Sequence, residues 1–314
     1  MFFRNLVPYR IDMAQLDAER LETGALTEAL EKAPFAPTLP AQPESLGWVP
    51  ALGELLVHEA TGALRIALMQ ETRSVPASVV RERVEERAAE IAARERREVG
   101  SREKREMKDS MLIELLPQAF PRRQRITACI DPVSGWLWVD SASFKRAELL
   151  TGQLREALGS LPVTTPKTQA PPDARMTHWL VDSPPDHFEL GGACRLVDPM
   201  EGGTVTVNRH DLSDPQILAL AESGKEVDQM ELIWRDRLSF VLKSDLTIGR
   251  LKFLDAVVEQ LPDEDDELAQ ADSTFALMVG ELRILMDDLM QALDGEAPAP
   301  GLAEARQTDD PPWA

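Results

Sequence analysis

Apolar positions recur along this chain with two periods, and the switches between them mark its elements. Residues 2–11 (FFRNLVPYRI) mix aromatic and branched side chains and predict a strand. Residues 12–32 change to helical spacing behind Asp12, a residue suited to an N-cap. Ala33 to Pro43 holds four prolines and predicts a loop, Gly47-Trp48-Val49-Pro50 a short edge strand, and 63–70 (ALRIALMQ) a buried strand. From Ala77 to Leu116 the chain is free of proline and dense in charge, with Val80, Val84, Ala88 and Ile91 forming one apolar helical stripe. Gly100-Ser101 breaks the run, since Gly100 can end one helix and Ser101 can cap the next. The pattern predicts a helical hairpin projecting from the body.

Residues 125–140 (RITACIDPVSGWLWVD) predict a β-hairpin around Asp131-Pro132-Val133-Ser134-Gly135, followed by a helix over 143–158. Four prolines between Leu161 and Pro172 mark a domain boundary. Beyond it the pattern predicts a short helix at 176–182 and strands at 193–197 and 203–207. A helix capped by Ser213 follows, then strands at 227–234 and 238–243 and helices at 248–260 and 272–293. Strands and helices alternate irregularly, so the fold class is α+β with mixed sheets. The divisions are a central region (1–76 and 117–165), an arm (77–116), a second α+β region (166–294) and a disordered acidic tail (295–314).

Charge changes this picture more than overall composition does. The formal net charge is -20, which by itself opposes a polyanionic partner. Its distribution is uneven: residues 73–125 carry 14 Lys/Arg against 10 Asp/Glu, and residues 255–314 carry 2 against 16. Such asymmetry suits a molecule with one face or channel of opposite sign. In the arm, Arg94, Arg96 and Arg97 form the least neutralised run, although a solvated face laced by glutamates accounts for the same pattern. Arg122, Arg123 and Arg125 follow a proline with no acid within four positions, which suits phosphate contact from a loop.

No constellation for catalysis emerges. The four histidines do not pair at helical spacing, so His210-Asp211 stands alone, and Asp263 to Asp266 precedes a helix whose N-terminus favours negative charge. Ser223-Gly224-Lys225 lacks the rest of a phosphate-binding loop. Cys129 and Cys194 lie 65 positions apart and read as buried thiols. Trp136 and Trp138 share one sheet face and read as core, as does Trp48. No run approaches the roughly 18 apolar residues of a membrane span, and no secretory signal opens the chain. The expectation is a cytoplasmic, non-catalytic protein without metal or cofactor.

Several fragments, in order along the chain, resemble the RdgC family: FFRNLVPYRI, Gly47 to Pro50, Leu115 to Phe120, Gly135 to Ser143, Leu158 to Pro162, Arg250 to Phe253 and Met278 to Leu282. The resemblance implies a two-fold homodimer closed into a ring. In it, the arm is the tip, the central region carries the body and 166–294 is the base. It further implies a basic hole that takes duplex DNA, and single-stranded DNA as well, without sequence preference. It places the protein at the nucleoid and links it to limiting access of RecA to DNA, with no catalytic reaction. By this match Phe120 is the contact that closes the ring, and Arg209, Lys225, Lys243, Arg250 and Lys252 fall in regions lining the hole. Gln229 and Glu231 stand where a base would help. Two alternatives stay open: an adaptor that offers its charged arm to a protein partner, and a metal-dependent nuclease.

Overall fold

Alternation of buried and open positions builds two sheets, and one long helix joins them. The structure, a computed structural model, describes residues 2–297. The first sheet uses β1 (Val7–Ile11), β2 (Glu44–Val49), β3 (His58–Ala60), β4 (Ala63–Arg73), β5 (Pro121–Asp131), β6 (Trp136–Val139) and β7 (Val163–Thr164). Its order is β2-β4-β5-β6-β1-β7, with β3 also on β4, and the named strand pairs are antiparallel. The second sheet uses β8 (Phe188–Val197), β9 (Thr204–Asn208), β10 (Glu226–Trp234), β11 (Leu238–Lys243) and β12 (Ile248–Phe253) in the order β12-β11-β10-β8-β9, also antiparallel. The described residues hold eight α-helices, which completes an α+β fold.

One face of the first sheet packs on α1 (Thr23–Glu31) and α4 (Phe144–Leu158), through Ile66, Leu68 and Ile126 against Leu26, Leu30, Leu150 and Leu154. Its opposite face presents Cys129, Trp136 and Trp138 to a second core cluster. That cluster takes in Leu232, Trp234 and Phe240 of the second sheet, α5 (Pro172–Val181) and α8 (Glu267–Ala292). Asp266 caps α8 by accepting from the backbone N–H of Leu268 and Ala269, so the acidic run before the helix serves its N-terminus. Trp136 and Trp138 are buried, as the two-residue spacing predicts. Each removes on the order of 200 Å² from water, a gross gain of about 5 kcal/mol. That outweighs the roughly 1–3 kcal/mol cost of an indole N–H without a partner.

The arm is a helical hairpin of α2 (Ala77–Glu95) and α3 (Ser101–Leu115), and Val80, Val84 and Ala88 are buried as their spacing requires. The hairpin at Asp131 to Gly135 also forms, with Asp131 opposite Trp136. Both cysteines are free and buried, and burial pushes the Cys194 thiol up to about 11.

Four expectations are corrected. The helix expected over 12–32 is confined to a 3-10 turn at Ala18–Leu21 and to α1. The Asp12 and Asp17 side chains take the N–H groups of Ala14 and Glu19, and Glu22 is extended, so local side-chain bonds displace the helix. Residues 248–253 form edge strand β12, not a helix. Ile248, Leu251 and Phe253 are buried and Arg250 and Lys252 exposed, and only the short α7 (Asp255–Val258) follows. Asp214, rather than Ser213, caps α6 (Pro215–Glu222) by accepting from the Gln216 N–H. Gly295 and Ala297 of the expected disordered tail instead pair with the backbone of Gln169 and Lys167, at 2.9 and 2.8 Å; residues 298–314 lie outside the described residues.

Candidate functional site

The outer face of the second sheet carries the candidate site, and three β-bulges shape it. Along β10 the buried positions are Val227, Met230, Leu232 and Trp234, so one residue is extra between 227 and 230. The register shows it: Val227 pairs Leu196 while Gln229 pairs Arg195, leaving Asp228 unopposed. Asp228 and Gln229 therefore both meet Arg195. The Arg195 guanidinium donates through Nε to Asp228 at 2.8 and 3.0 Å. It also donates to the Gln229 amide oxygen at 2.8 and 3.1 Å, in the amide orientation that satisfies both atoms. Asp228 raises the Arg195 pKa. Thr206, Arg195, Gln229 and Lys243 thus form one row across four strands.

A second irregularity in β8 accommodates Gly191 and Gly192. A Cβ at Gly191 would stand 2.5 Å from the Glu231 side chain, whose carboxylate instead accepts from the Gly192 N–H at 3.0 Å. The third lies in β12, where Ser239 pairs Lys252 but Val241 pairs Gly249. Arg250 sits in this bulge with a φ of 52°, a left-handed conformation costly for a residue with a Cβ. The bulge aims Arg250 into the same groove as Lys243. The groove is a cavity of about 340 Å³ floored by Ala193, Val241 and Gly249 and rimmed by Asn5, Arg195, Asn208, Gln229, Lys243 and Arg250. Among the described residues, no carboxylate lies within ion-pair reach (4.0 Å) of Lys243, Arg250 or Lys252. Their charge is free for an external anion.

The other sequence-derived residues are placed differently. Lys225 is bound to Asp198 at 3.1 Å. Arg209 is exposed in the turn after β9, close to Gly192. Arg122, Arg123 and Arg125 lie in β5, not in a loop, because 122–125 continue the ladder opposite Met69 to Thr72. Arg123 is tied to the Glu71 carboxylate at 2.6 Å, and Arg125 donates to the carbonyls of Pro50 and Ala51. Glu71, 1% exposed, also accepts from the Thr38 hydroxyl and N–H, and these bonds with Arg123 hold it down at about 2. Glu71 therefore adds stability above the unfolded carboxylate value of 4.5, and that stability is lost as pH falls through about 2.

In the arm the expected free run is a correction. Arg94 meets Glu95 at 2.9 Å, and Arg97 meets Glu95 and Glu103, both at 2.7 Å. The left-handed turn at Arg96 (φ 51°) folds the chain so that Arg97 reaches back to α3. Arg96 alone of the three has no carboxylate within ion-pair reach among the described residues. Phe120 stands 93% exposed between the arm and β5. Its neighbour Ala119 is held to the Thr38 loop by Arg73, which donates to the Ala119 carbonyl at 2.7 Å and the Thr38 hydroxyl at 2.8 Å.

Sequence reading missed Arg195. The alternation of buried Cys194 and Leu196 around it was the available signal, since it turns Arg195 outward. Among the described residues no three His, Cys, Asp or Glu side chains converge as a metal-ligand set, and no helix is long and apolar enough to cross a membrane.

Fold and site together define an α+β protein with a charged helical arm and a cationic groove on an open sheet face. The family model described as "Putative exonuclease, RdgC" matches residues 1–296. The chain is 40% identical over 305 residues to the recombination-associated protein RdgC of Laribacter hongkongensis, covering 95% of this chain and 100% of that one. It is 39% identical to the protein of the same name from Halorhodospira halophila, over 94% of this chain and 99% of that one. A third relative with that name, from Pseudomonas aeruginosa (strain LESB58), is 38% identical over 94% of this chain and 98% of its own. The chain belongs to the RdgC family of recombination-associated proteins.

Proposed function

We propose that this chain binds DNA without sequence preference, as a non-catalytic homodimeric ring in the cytoplasm, at the nucleoid, and that it modulates recombination by limiting access of RecA to the duplex. The observation that carries the reading is the group Lys243, Arg250 and Lys252 on one hairpin of an open sheet face, without acidic partners among the described residues. Phosphate contact by such cations is sequence-independent and dominates affinity. The net charge of -20 is compatible with this if acids face outward, because a closed ring concentrates field lines in its hole.

The ring part of the reading rests on Phe120. A phenylalanine 93% exposed at the root of the arm has apolar area to bury against a second copy. Phe120→Ala is expected to shift the protein toward monomer in sedimentation velocity and to speed release from duplex DNA roughly tenfold, the effect of removing one aromatic anchor. An unchanged dimer with unchanged release would remove Phe120 from ring closure. The non-catalytic part is tested by incubating linear and supercoiled DNA with Mg²⁺; release of nucleotides would favour the nuclease reading instead.

The arm supports a second use of the molecule. Arg83–Glu86, Arg87–Glu90, Arg102–Glu106 and Lys104–Glu85 pair along its exposed surface, so its cations are largely spent within the arm. This pattern fits a protein-facing element better than a phosphate-facing one.

A further inference from the structure

Asp228 and Gln229 hold the Arg195 guanidinium by its edges. Nε donates to both Asp228 oxygens, at 2.8 and 3.0 Å, and Nη2 donates to the same carboxylate. On the other side the Gln229 amide oxygen accepts from Nη1 at 3.1 Å and from Nη2 at 2.8 Å. The N–H bonds of a guanidinium lie in its plane, so carboxylate, guanidinium and amide form one flat array. The array exists because the β10 bulge sets Asp228 and Gln229 together against Arg195. The Arg195 side chain is nevertheless 40% exposed. With most of its N–H edges occupied, what it shows to the groove is its face.

Charge points the same way. Asp228 cancels the Arg195 cation, so the pair adds little attraction for phosphate. Lys243 and Arg250 in the same groove supply that attraction. What Arg195 keeps is a flat guanidinium face, a surface on which unpaired bases stack. The floor beside it is low and apolar, made by Ala193, Val241 and Gly249. Asn5 and Asn208 stand at the rim. An amide offers a donor and an acceptor to the edge of any base, which suits binding without sequence preference.

The dimensions fit one nucleotide. A volume of about 340 Å³ lies within the range of small-ligand sites. A base paired inside a duplex is shut in its stack and cannot enter such a groove. Arg195 and Lys243 both pair with Gln229, so they stand two strand spacings apart in one row, about 10 Å. A base lying over Arg195 can therefore place its phosphate within reach of the long Lys243 side chain.

We propose that this groove takes one unpaired nucleotide of single-stranded DNA, with its base stacked on the Arg195 face and its phosphate at Lys243 and Arg250. The inference rests on the proposed DNA binding and narrows it. Phosphate contact alone accepts any strand, whereas the Arg195 face accepts only a base that is out of its stack.

The test titrates the isotopically labelled full chain with a short oligodeoxyadenylate strand and, separately, with that strand paired to oligothymidylate. In NMR spectra the Arg195 Nε–H, held against Asp228, and the Ala193 methyl are expected to move upfield with the single strand, under the adenine ring, and not with the duplex. A strand that binds while neither signal moves upfield overturns the stacking and leaves the phosphate reading intact. Equal upfield shifts with the duplex overturn the restriction to unpaired bases. Arg195→Lys keeps the charge and loses the plane. Its preference for strand over duplex in fluorescence anisotropy is expected to fall about tenfold, the effect of one lost stacking contact. An unchanged ratio in a variant with the parent's thermal unfolding overturns the inference. If Arg195→Lys does not fold, Gln229→Ala frees one edge of the plane and carries the same comparison: a partial loss of the preference supports the inference and an unchanged ratio overturns it. Upfield shifts with the strand but no binding of duplex would keep the inference and remove the duplex part of the proposed function. Binding of neither would remove both.

Discussion

Replacing Lys243 with Ala and Arg250 with Gly together is expected to weaken duplex binding by roughly a hundredfold, about tenfold for each charge-assisted bond to phosphate that disappears. The pair is chosen because folding should survive it. Lys243 lies at the end of β11 with its charge unspent, and Arg250 already holds a φ of 52° that glycine adopts without penalty. A fall in affinity with unchanged thermal unfolding would therefore report the site and not the scaffold. Lys225→Ala is the contrasting variant. Its charge is already committed to Asp198, so affinity should change by no more than about threefold. If the double variant binds as the parent does, the groove is not the interface.

The second large effect concerns the joint between the sheets. Arg283 of α8 donates to both oxygens of Asp131, at 2.8 and 2.7 Å, and also to the Thr61 carbonyl at 3.1 Å. Asp131 is 0% exposed and lies at the β5–β6 turn, which its carboxylate also organises by accepting from the Val133 N–H at 3.2 Å and from the Ser134 hydroxyl. Arg283→Ala leaves that carboxylate buried without its cation. The expected destabilisation is about 3 kcal/mol, the low end for breaking a buried pair because the turn bonds remain. That corresponds to a fall in Tm of several degrees for a chain of this size. Equilibrium denaturation of Arg283→Ala and of Arg283→Met/Asp131→Asn checks the cause. Part of the stability should return in the double variant, which removes the stranded charge. A loss below about 1 kcal/mol in the single variant would mean that the pair does not hold α8 to the first sheet.

How much of this was legible in the sequence depended on whether the controlling contacts were local. The arm was legible because Val80, Val84 and Ala88 repeat at helical spacing, but its turn was not placed correctly: α2 ends at the left-handed Arg96 and not at Gly100, and Gly100, not Ser101, holds the N-cap of α3. The 131–135 turn was legible from its own residues, and the burial of Trp136 and Trp138 followed from their spacing. Residues 248–253 were not. Their apolar positions fit a helix as well as a bulged strand, and pairing with β11, together with the Leu251 N–H bond to the Arg4 carbonyl, decides the matter. The family's FFRN and RLKF fragments therefore touch in space while standing far apart in the sequence.

The charges illustrate the same limit. Arg123 has no acid near it in sequence, yet Glu71 on the neighbouring strand neutralises it. For Arg94 and Arg97, sequence spacing gives the neighbours of a straight helix, whereas the left-handed turn at Arg96 rearranges those neighbours. Lys243, Arg250 and Lys252 came from family resemblance. What groups Lys243 and Arg250 in one groove is the bulge in β12, which leaves no mark in residue type apart from the adjoining Gly249.

The central claim is that nucleic acid is held by phosphate contacts in this groove, and the salt dependence of binding tests it most directly. Fluorescence anisotropy of a labelled duplex of arbitrary sequence, titrated at several salt concentrations, gives the slope of log affinity against log salt for the parent and for K243A/R250G. The account predicts a steep negative slope for the parent and one shallower by about 2 in the variant, close to one for each cation removed. A parent that fails to bind at low salt, or a variant with the parent's slope, would contradict it.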